Sequence, residues 1–170
     1  MSQNRKPRQI HDFRRFNNTT VICLKRWLVR FLTSRVAPVP LSSPPDRSRV
    51  REYARWLGNE GERYACWWLR RHRGMVVLQI NYRHGHHEMD IIAKDGEVTV
   101  FVEVRTVSSD HLQRPSESVT PAKQRNVHEC ALAWRSQSAH YGHWRMDIIG
   151  IVWPDPMQQP TRVEHWIKAF

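Results

Sequence analysis

Cysteine is scarce in this sequence, and the three cysteines that occur are far apart. Cys23, Cys66 and Cys130 are odd in number and contain no Cys-X-X-Cys pair. A disulfide framework and a thiolate zinc site are therefore both disfavoured, because each needs paired or closely spaced cysteines. We expect a reducing compartment, and hence a cytoplasmic location.

Long apolar runs are also absent. No stretch of about 18 apolar residues occurs, so no helix is expected to span a membrane. The nearest approach is VICLKRWLVRFL at 21–32, which Lys25, Arg26 and Arg30 interrupt. These charges argue against the apolar core of a signal peptide.

Acidic residues are rare at the front of the chain. Residues 1–50 hold eleven Lys and Arg against two acids, hence +9, whereas residues 51–170 hold sixteen against fourteen, hence +2. We predict a basic extension at 1–50, disordered or partly helical, which ends in the Pro- and Ser-rich linker 37–48. A basic amphipathic helix at 21–32 that contacts nucleic acid or a membrane surface is the functional alternative for the extension. Residues 51–170 are predicted to form one folded domain, long enough to bury a core.

Helix and strand signals alternate within the predicted domain. The pattern predicts the order α-β-β-β-α-β-β, an α/β fold with an α+β mixed sheet and helices packed on it. Gly58 and Gly61 inside the first helix predict a break or a close approach there. The predicted segments are a helix at 51–74, a strand at 75–82, a hairpin at 85–105, a helix from Thr120-Pro121 to about 136, and strands at 144–153 and 161–170.

The segment GHHEMDIIAKDGEVTVFVEVR, residues 85–105, has the pattern of a β-hairpin. Asp95-Gly96 is a favoured two-residue turn, which would pair Lys94 with Glu97. Side chains of a strand alternate between two faces. One face is wholly apolar and is predicted to be core; it carries Met89, Ile91, Ala93, Val98, Val100, Val102 and Val104.

The other face of the hairpin collects the acids Glu88, Asp90 and Glu103. The predicted register places Glu88 opposite Glu103, and Asp90 diagonally from Glu103 at roughly 7 Å. Carboxylates so close repel one another, and a hard divalent cation with oxygen ligands would relieve the repulsion. A solvated face whose acids pair with Arg105 and other nearby bases is the structural alternative.

The surrounding motifs resemble a known family. Asp90 followed by Glu103-Val104-Arg105 across a hairpin resembles the PD-(D/E)xK nuclease signature. The wider run, about residues 54–170, resembles the YraN family of bacterial proteins, which is similar to Holliday-junction resolvases. The segments that carry this resemblance, in order, are GNEGERYACWWL, NYRHGHHEMDIIA, FVEVRTVSS, SVTPAKQRNV, RMDIIGIV and HWIKAF.

The resemblance implies a restriction-endonuclease-like core with an acidic centre. Its metal ligands for Mg²⁺ or Mn²⁺ would be Asp90 and Glu103 from the hairpin and Glu62 from the first helix. Arg105 stands at the signature's lysine position, and Lys123 matches a further basic position. The implied function is metal-dependent hydrolysis of phosphodiester bonds in nucleic acid, with DNA as the expected partner and a homodimer as the expected assembly.

Three departures from the family pattern bear on this function. Arg105 replaces a lysine, and arginine stays protonated, so it can hold a phosphate but cannot act as a general base. His87 stands where the family has glycine, and the loop after Ser109 lacks an expected glycine. The alternative function is therefore a non-catalytic nucleic-acid-binding module on a nuclease-like fold.

Overall fold

The computed structural model describes residues 37–109, 120–138 and 141–169. The extension before residue 37, including the apolar stretch at 21–32, lies outside the described residues. The order α-β-β-β-α-β-β is confirmed. Its elements are α1 (Val50–Arg73), β1 (Val76–His84), β2 (His87–Asp95), β3 (Val98–Val107), α2 (Pro121–Ser138), β4 (Trp144–Val152) and β5 (Arg162–Trp166).

The five strands form one mixed sheet in the order β1-β2-β3-β4-β5. Strands β3 and β4 are parallel, and the other neighbours are antiparallel. A parallel pair needs a long crossover connection, and α2 lies in the chain between β3 and β4. The predicted mixed α+β sheet with packed helices is therefore confirmed.

Helix α1 runs without interruption through both of its glycines. It ends at Gly74, which adopts a left-handed conformation and donates its backbone N–H to the Leu69 carbonyl. Of the two interpretations for the internal glycines, the close approach is correct for Gly61. A β-carbon built there would lie 1.8 Å from Thr106 Oγ1 on β3, whereas one at Gly58 would meet nothing within 4 Å.

Both faces of the central sheet are buried. Ile92 and Phe101 pack against α2, and Ile91 and Val102, on the opposite face by alternation, are also fully buried. The prediction that Met89 shares a face with Ile91 is wrong, because the alternation breaks at Asp90. The cluster on the α2 side comprises Tyr82, Met89, Ile92, Phe101, Val127, Cys130, Ala131, Trp134 and Met146.

The start of the described chain lies against α1. Arg63 and Glu60 form a buried ion pair in α1, at 2.6 Å. Both side chains also hydrogen-bond to the backbone of the segment before the helix. Glu60 Oε1 accepts the Leu41 N–H at 3.2 Å, and Arg63 donates to the Val39 carbonyl. Part of the stretch predicted as a linker is therefore held by specific contacts, while the division at residue 50 stays a prediction.

The sequence disfavours both disulfide bonds and membrane-spanning helices, and the described residues bear on each. Cys66 and Cys130 are buried free thiols. Within the described ranges, no helix is both long and apolar enough to cross a membrane.

The two glycines of α1 give a matched pair of stability tests. We expect Gly61→Ala to lower the free energy of unfolding by about 1–3 kcal/mol, because its methyl group would overlap Thr106. Gly58→Ala should raise it by about 0.5–1 kcal/mol, since alanine is the better helix former and has open space there. Urea unfolding of both variants measures the difference, and equal effects would contradict the close approach of α1 to β3.

Candidate functional site

The β2–β3 hairpin has a register two residues away from the predicted one. Asp95 pairs with Val98, so the turn residues are Gly96 and Glu97. Gly96 has a positive φ of 55°. One class of two-residue hairpin turn needs a positive φ only at its first central residue, where glycine is favoured. A turn centred on Asp95-Gly96 would require a positive φ at Asp95 as well. The predicted pairing of Lys94 with Glu97 is therefore wrong.

This shift changes which acid neighbours Glu103. A shift of two residues leaves faces unchanged but moves Asp90 into the place predicted for Glu88. Glu88 instead forms an ion pair with Arg83 on β1, at 3.1 Å. The predicted Glu88–Glu103 pair is wrong, and Asp90 is the acid of β2 that comes beside Glu103.

The Asp90 carboxylate lies where the β2–β3 ladder stops. The last ladder pair joins Ile91 to Val102. One step beyond it, Asp90 Oδ2 accepts a hydrogen bond from the Val104 N–H at 2.7 Å. The side chain thus takes the place of a strand carbonyl, which fixes its position between the two strands.

Glu103 is a buried carboxylate with two unequal oxygens. Its side chain is 5% exposed. Oε1 lies 3.0 Å from Lys123 Nζ and 3.4 Å from an Arg105 guanidinium nitrogen. Oε2 is buried and has no hydrogen-bond partner among the described residues. An orphaned buried oxygen on a charged group is rare and calls for a ligand or an ion.

Lys123 reaches this carboxylate because of how α2 begins. Thr120 and Pro121 were predicted as cap and first-turn residues, and Thr120 Oγ1 accepts the Lys123 N–H at 3.3 Å. The cap fixes the first turn of the helix, and Lys123 lies in that turn. Its ammonium group therefore faces Glu103.

Glu62 adds a third carboxyl group from α1. Its neighbour Gly61 holds the helix close to β3 at Thr106. Burial raises the pKa of Glu62 from 4.5 to about 7, and the negative charges of Glu88 and Glu103 add to the rise. At neutral pH this carboxyl group is therefore only partly ionised.

The pKa of Asp90 is also raised, from 3.8 to about 8. Burial is the main cause and the Glu103 charge is the second; the Val104 N–H and the Lys123 charge offset part of the rise. All five predicted residues are thereby brought together. Arg105 and Lys123 contact Glu103, and the carboxyl groups of Glu62 and Asp90 lie close enough to interact with its charge.

Asn81 is a site residue that the sequence reasoning missed. It adopts a positive φ of 49°, and its side chain hydrogen-bonds Glu62. The β1–β2 ladder passes over Asn81 and Asp90 without pairing them. The available signal was an asparagine in an otherwise β-rich run, since asparagine is depleted in strands and tolerates the left-handed conformation.

We call the group of Glu62, Asp90, Glu103, Arg105 and Lys123 the acidic cluster. It does not offer three or more side chains that could bind one metal ion together. Among residues 37–109, 120–138 and 141–169, no three His, Cys, Asp or Glu side chains form a group that could hold a metal ion. Any ion at this place would have fewer than three such ligands from the described residues. Mg²⁺ is commonly bound in proteins by one or two carboxylates plus water, so two are sufficient.

Comparison with known proteins gives a consistent match. The sequence model of the family described as "Uncharacterised protein family UPF0102" matches residues 61–151. A UPF0102 protein of Geobacter metallireducens is 39% identical over 115 residues, which cover 67% of this chain and 91% of that protein. The chain belongs to the UPF0102 family. A UPF0102 protein of Geotalea uraniireducens is 35% identical over 125 residues, covering 73% of this chain and 96% of that protein.

The UPF0102 match spans the whole acidic cluster. UPF0102 is the YraN family, so the resemblance drawn from the motifs is confirmed. The matched range begins at Gly61, where α1 contacts β3, and ends in β4. Glu62, Lys123 and the acids of the hairpin all fall inside it.

The raised pKa of Asp90 predicts a pH-dependent stability for this UPF0102 protein. Between pH 3.8 and about 8 the unfolded chain ionises Asp90 while the folded chain keeps it protonated, so stability falls as pH rises through that window. Asp90→Asn keeps an oxygen for the Val104 N–H and removes the ionisation. With EDTA present, we expect the variant to be more stable than the wild type at pH 9, by more than about 1 kcal/mol, with the difference vanishing near pH 4.

Urea midpoints of both proteins across this pH range measure the effect. Glu97→Gln is the matched control, because Glu97 lies exposed in the hairpin turn. A difference between wild type and Asp90→Asn that did not change with pH would contradict the assignment.

Proposed function

We propose that this protein binds nucleic acid and hydrolyses phosphodiester bonds with the help of Mg²⁺ or Mn²⁺. The observation that carries the proposal is the unpartnered, buried Oε2 of Glu103 beside Asp90. A protein that only binds phosphates gains nothing from buried acids facing its ligand. Buried carboxyl groups with raised pKa values are typical of functional sites.

The donor set fits a hard divalent cation. Asp90 and Glu103 would hold it through carboxylate oxygens, and Glu62 would support it from α1. Such an ion would lower the pKa of a bound water and offset negative charge on the phosphate. Asp90 is already oriented by the Val104 N–H, so little side-chain rearrangement is needed to present its second oxygen.

The basic residues have a separate role. Lys123 and Arg105 both contact Glu103 Oε1, on the side where a phosphate would approach the carboxylates. They would bind the non-bridging oxygens and stabilise the charge that develops on them. Arg105 cannot accept a proton. Glu62, with a pKa of about 7, is the group suited to take a proton from water at neutral pH.

Arg105 also favours the second candidate function, a nucleic-acid-binding module without catalysis. In that case the acids would be structural, and removal of Glu103 would not affect any divalent ion. DNA as the partner, a homodimer and a cytoplasmic location stay predictions.

Calorimetric titration of Mn²⁺ and Mg²⁺ into the full chain tests the proposal. We expect one saturable site in the wild type that is lost in both Asp90→Ala and Glu103→Ala. Glu97→Ala, which removes an exposed acid from the hairpin turn, should bind as the wild type does. If the wild type binds no metal, with or without a DNA duplex present, the hydrolase function is wrong and the binding module remains.

A further inference from the structure

A second site lies beside α2, on a part of the chain that the acidic cluster does not use. A cleft of about 630 Å³ opens between α2, the start of β4 and the turn after β5. We call it the α2–β4 cleft. Its walls carry Arg125, Arg145 and Lys168 against one acid, Glu129, and Trp144 supplies apolar surface. The charge balance of the walls favours an anionic ligand.

Two of the three cations have their charge available. Arg145 is engaged, since it contacts Asp95 at 2.7 Å and Asp147 at 3.1 Å. Arg125 and Lys168 are exposed, and neither has an ion-pair partner among the described residues. Against these two cations stands one acid, Glu129, whose carboxylate is largely exposed to solvent and lies 3.4 Å from His87 Nε2. An anion entering the cleft would therefore meet uncompensated positive charge.

Lys168 is held in place by the interior of the protein. It has a positive φ of 54°, and in the described ranges only Asn81 is another non-glycine residue of this kind. Its backbone N–H donates to Asp147 Oδ1 at 3.0 Å, and the next N–H, of Ala169, donates to the Met146 carbonyl at 2.9 Å. A strained backbone persists where surrounding contacts fix it, and such positions cluster at functional sites.

Asp147 contacts two residues of the cleft walls, Arg145 and Lys168. Asp147 is fully buried and accepts a hydrogen bond from Arg145. Its other oxygen lies 2.9 Å from His165 Nε2. The motif RMD at 145–147 and the motif HWIK at 165–168 thus meet at one carboxylate. Both motifs lie outside the acidic cluster, and their shared contact places Lys168 and Arg145 on the cleft wall.

The cleft and the acidic cluster draw residues from the same helix and from neighbouring strands. On α2, the cleft residue Gln124 directly follows Lys123, which contacts Glu103. In the sheet, the cleft residue Trp144 pairs with Thr99, four positions before Glu103 on β3. Four strand residues span about 13 Å, a distance that a few nucleotides of a bound strand cover.

We propose that the α2–β4 cleft is a phosphate-binding subsite for a nucleic-acid strand that passes the acidic cluster. Arg125 and Lys168 contact the backbone phosphates, and Asp147 positions Lys168. This subsite rests on the proposed function for the identity of its ligand, but its binding of nucleic acid needs neither metal nor cleavage.

Fluorescence anisotropy with labelled single-stranded and duplex DNA in EDTA tests the subsite in the full chain. We expect the double variant Arg125→Gln with Lys168→Gln to bind about tenfold more weakly at roughly 0.1 M salt. The slope of log K against log salt should fall by about two, one unit for each lost phosphate contact. Lys168→Arg should bind as the wild type does.

Arg71→Gln is the matched control, because Arg71 is an exposed arginine in the last turn of α1, away from the cleft. If the double variant binds no more weakly than this control, the subsite is wrong. If the wild type binds Mn²⁺ but no nucleic acid, the subsite is also wrong while the metal site stands. If DNA binding depends on the cleft but no metal binds, the subsite stands and the hydrolase function is wrong.

Discussion

Glu103→Gln is expected to lower metal-dependent DNA cleavage by about a hundred- to a thousandfold. The amide keeps the size of the side chain but loses the charge that would hold the cation and that faces Lys123 and Arg105. Losses of this size are typical when one group that stabilises the charge of a transition state is removed. Cleavage rates under single-turnover conditions, with Mn²⁺ at saturation for the wild type, measure the effect.

Glu88→Gln is the control for this variant. It removes the same charge from Glu88, the residue that the sequence predicts to lie opposite Glu103. In the structure Glu88 pairs with the exposed Arg83, so its loss should change the cleavage rate far less. Equal losses in the two variants would contradict the placement of Glu88 at Arg83, away from Glu103.

The element order could be predicted because each element has a local signal. Period-two alternation identifies the hairpin, β-rich or continuously apolar runs identify the strands at 75–82 and 144–153, and Thr120-Pro121 identifies the start of α2. The register could not be predicted in the same way. Asp95-Gly96 and Gly96-Glu97 both give a two-residue turn with a glycine, and a shift of two residues preserves both faces. The choice between them is tertiary: in the structure Asp95 is bound to Arg145 on β4.

The acids and bases of the site were predictable through the family motifs, whereas the contacts that bring them together were not. Glu62 and Asp90 lie on elements far apart in sequence, and α1 meets β3 only because Gly61 leaves room for Thr106. The role of Asn81 depends on a backbone irregularity for which the sequence offers one weak signal, an asparagine in a β-rich run. The α2–β4 cleft likewise depends on a contact between Asp147 and a turn about twenty residues later in the chain.

Two groups of buried charge in this domain have opposite effects on stability. Burial and like charges raise the pKa values of Glu62 and Asp90, so the folded chain is less stable when both are ionised. Contacts with His165, the Lys168 N–H and Arg145 hold the pKa of Asp147 below its ordinary value despite burial, so its ionised form stabilises the fold. The repulsion among the carboxyl groups of Glu62, Asp90 and Glu103 destabilises the free protein, and a bound cation would relieve it.

Asp147→Ala is expected to lower the free energy of unfolding by about 3–5 kcal/mol, the largest stability loss that we predict for a single substitution. It leaves the guanidinium of Arg145 and the ring of His165 without their buried partner, and it frees the N–H of Lys168. A typical domain has about 5–15 kcal/mol of stability, so the variant should unfold at much lower urea concentration or fail to accumulate. Urea unfolding measures the loss.

Asp155→Ala is the matched control for Asp147. Asp155 is an exposed aspartate that accepts the Met157 N–H at 3.0 Å in the loop after β4. It also accepts a hydrogen bond from Gln158 Nε2 at 3.0 Å. Its loss removes the same atoms and two exposed local hydrogen bonds, so about 0.5–1.5 kcal/mol is expected. If Asp147→Ala cost no more than this control, the buried network would not hold the C-terminal turn. The placement of Lys168 in the α2–β4 cleft would then rest only on the neighbouring hydrogen bond from the Ala169 N–H to the Met146 carbonyl.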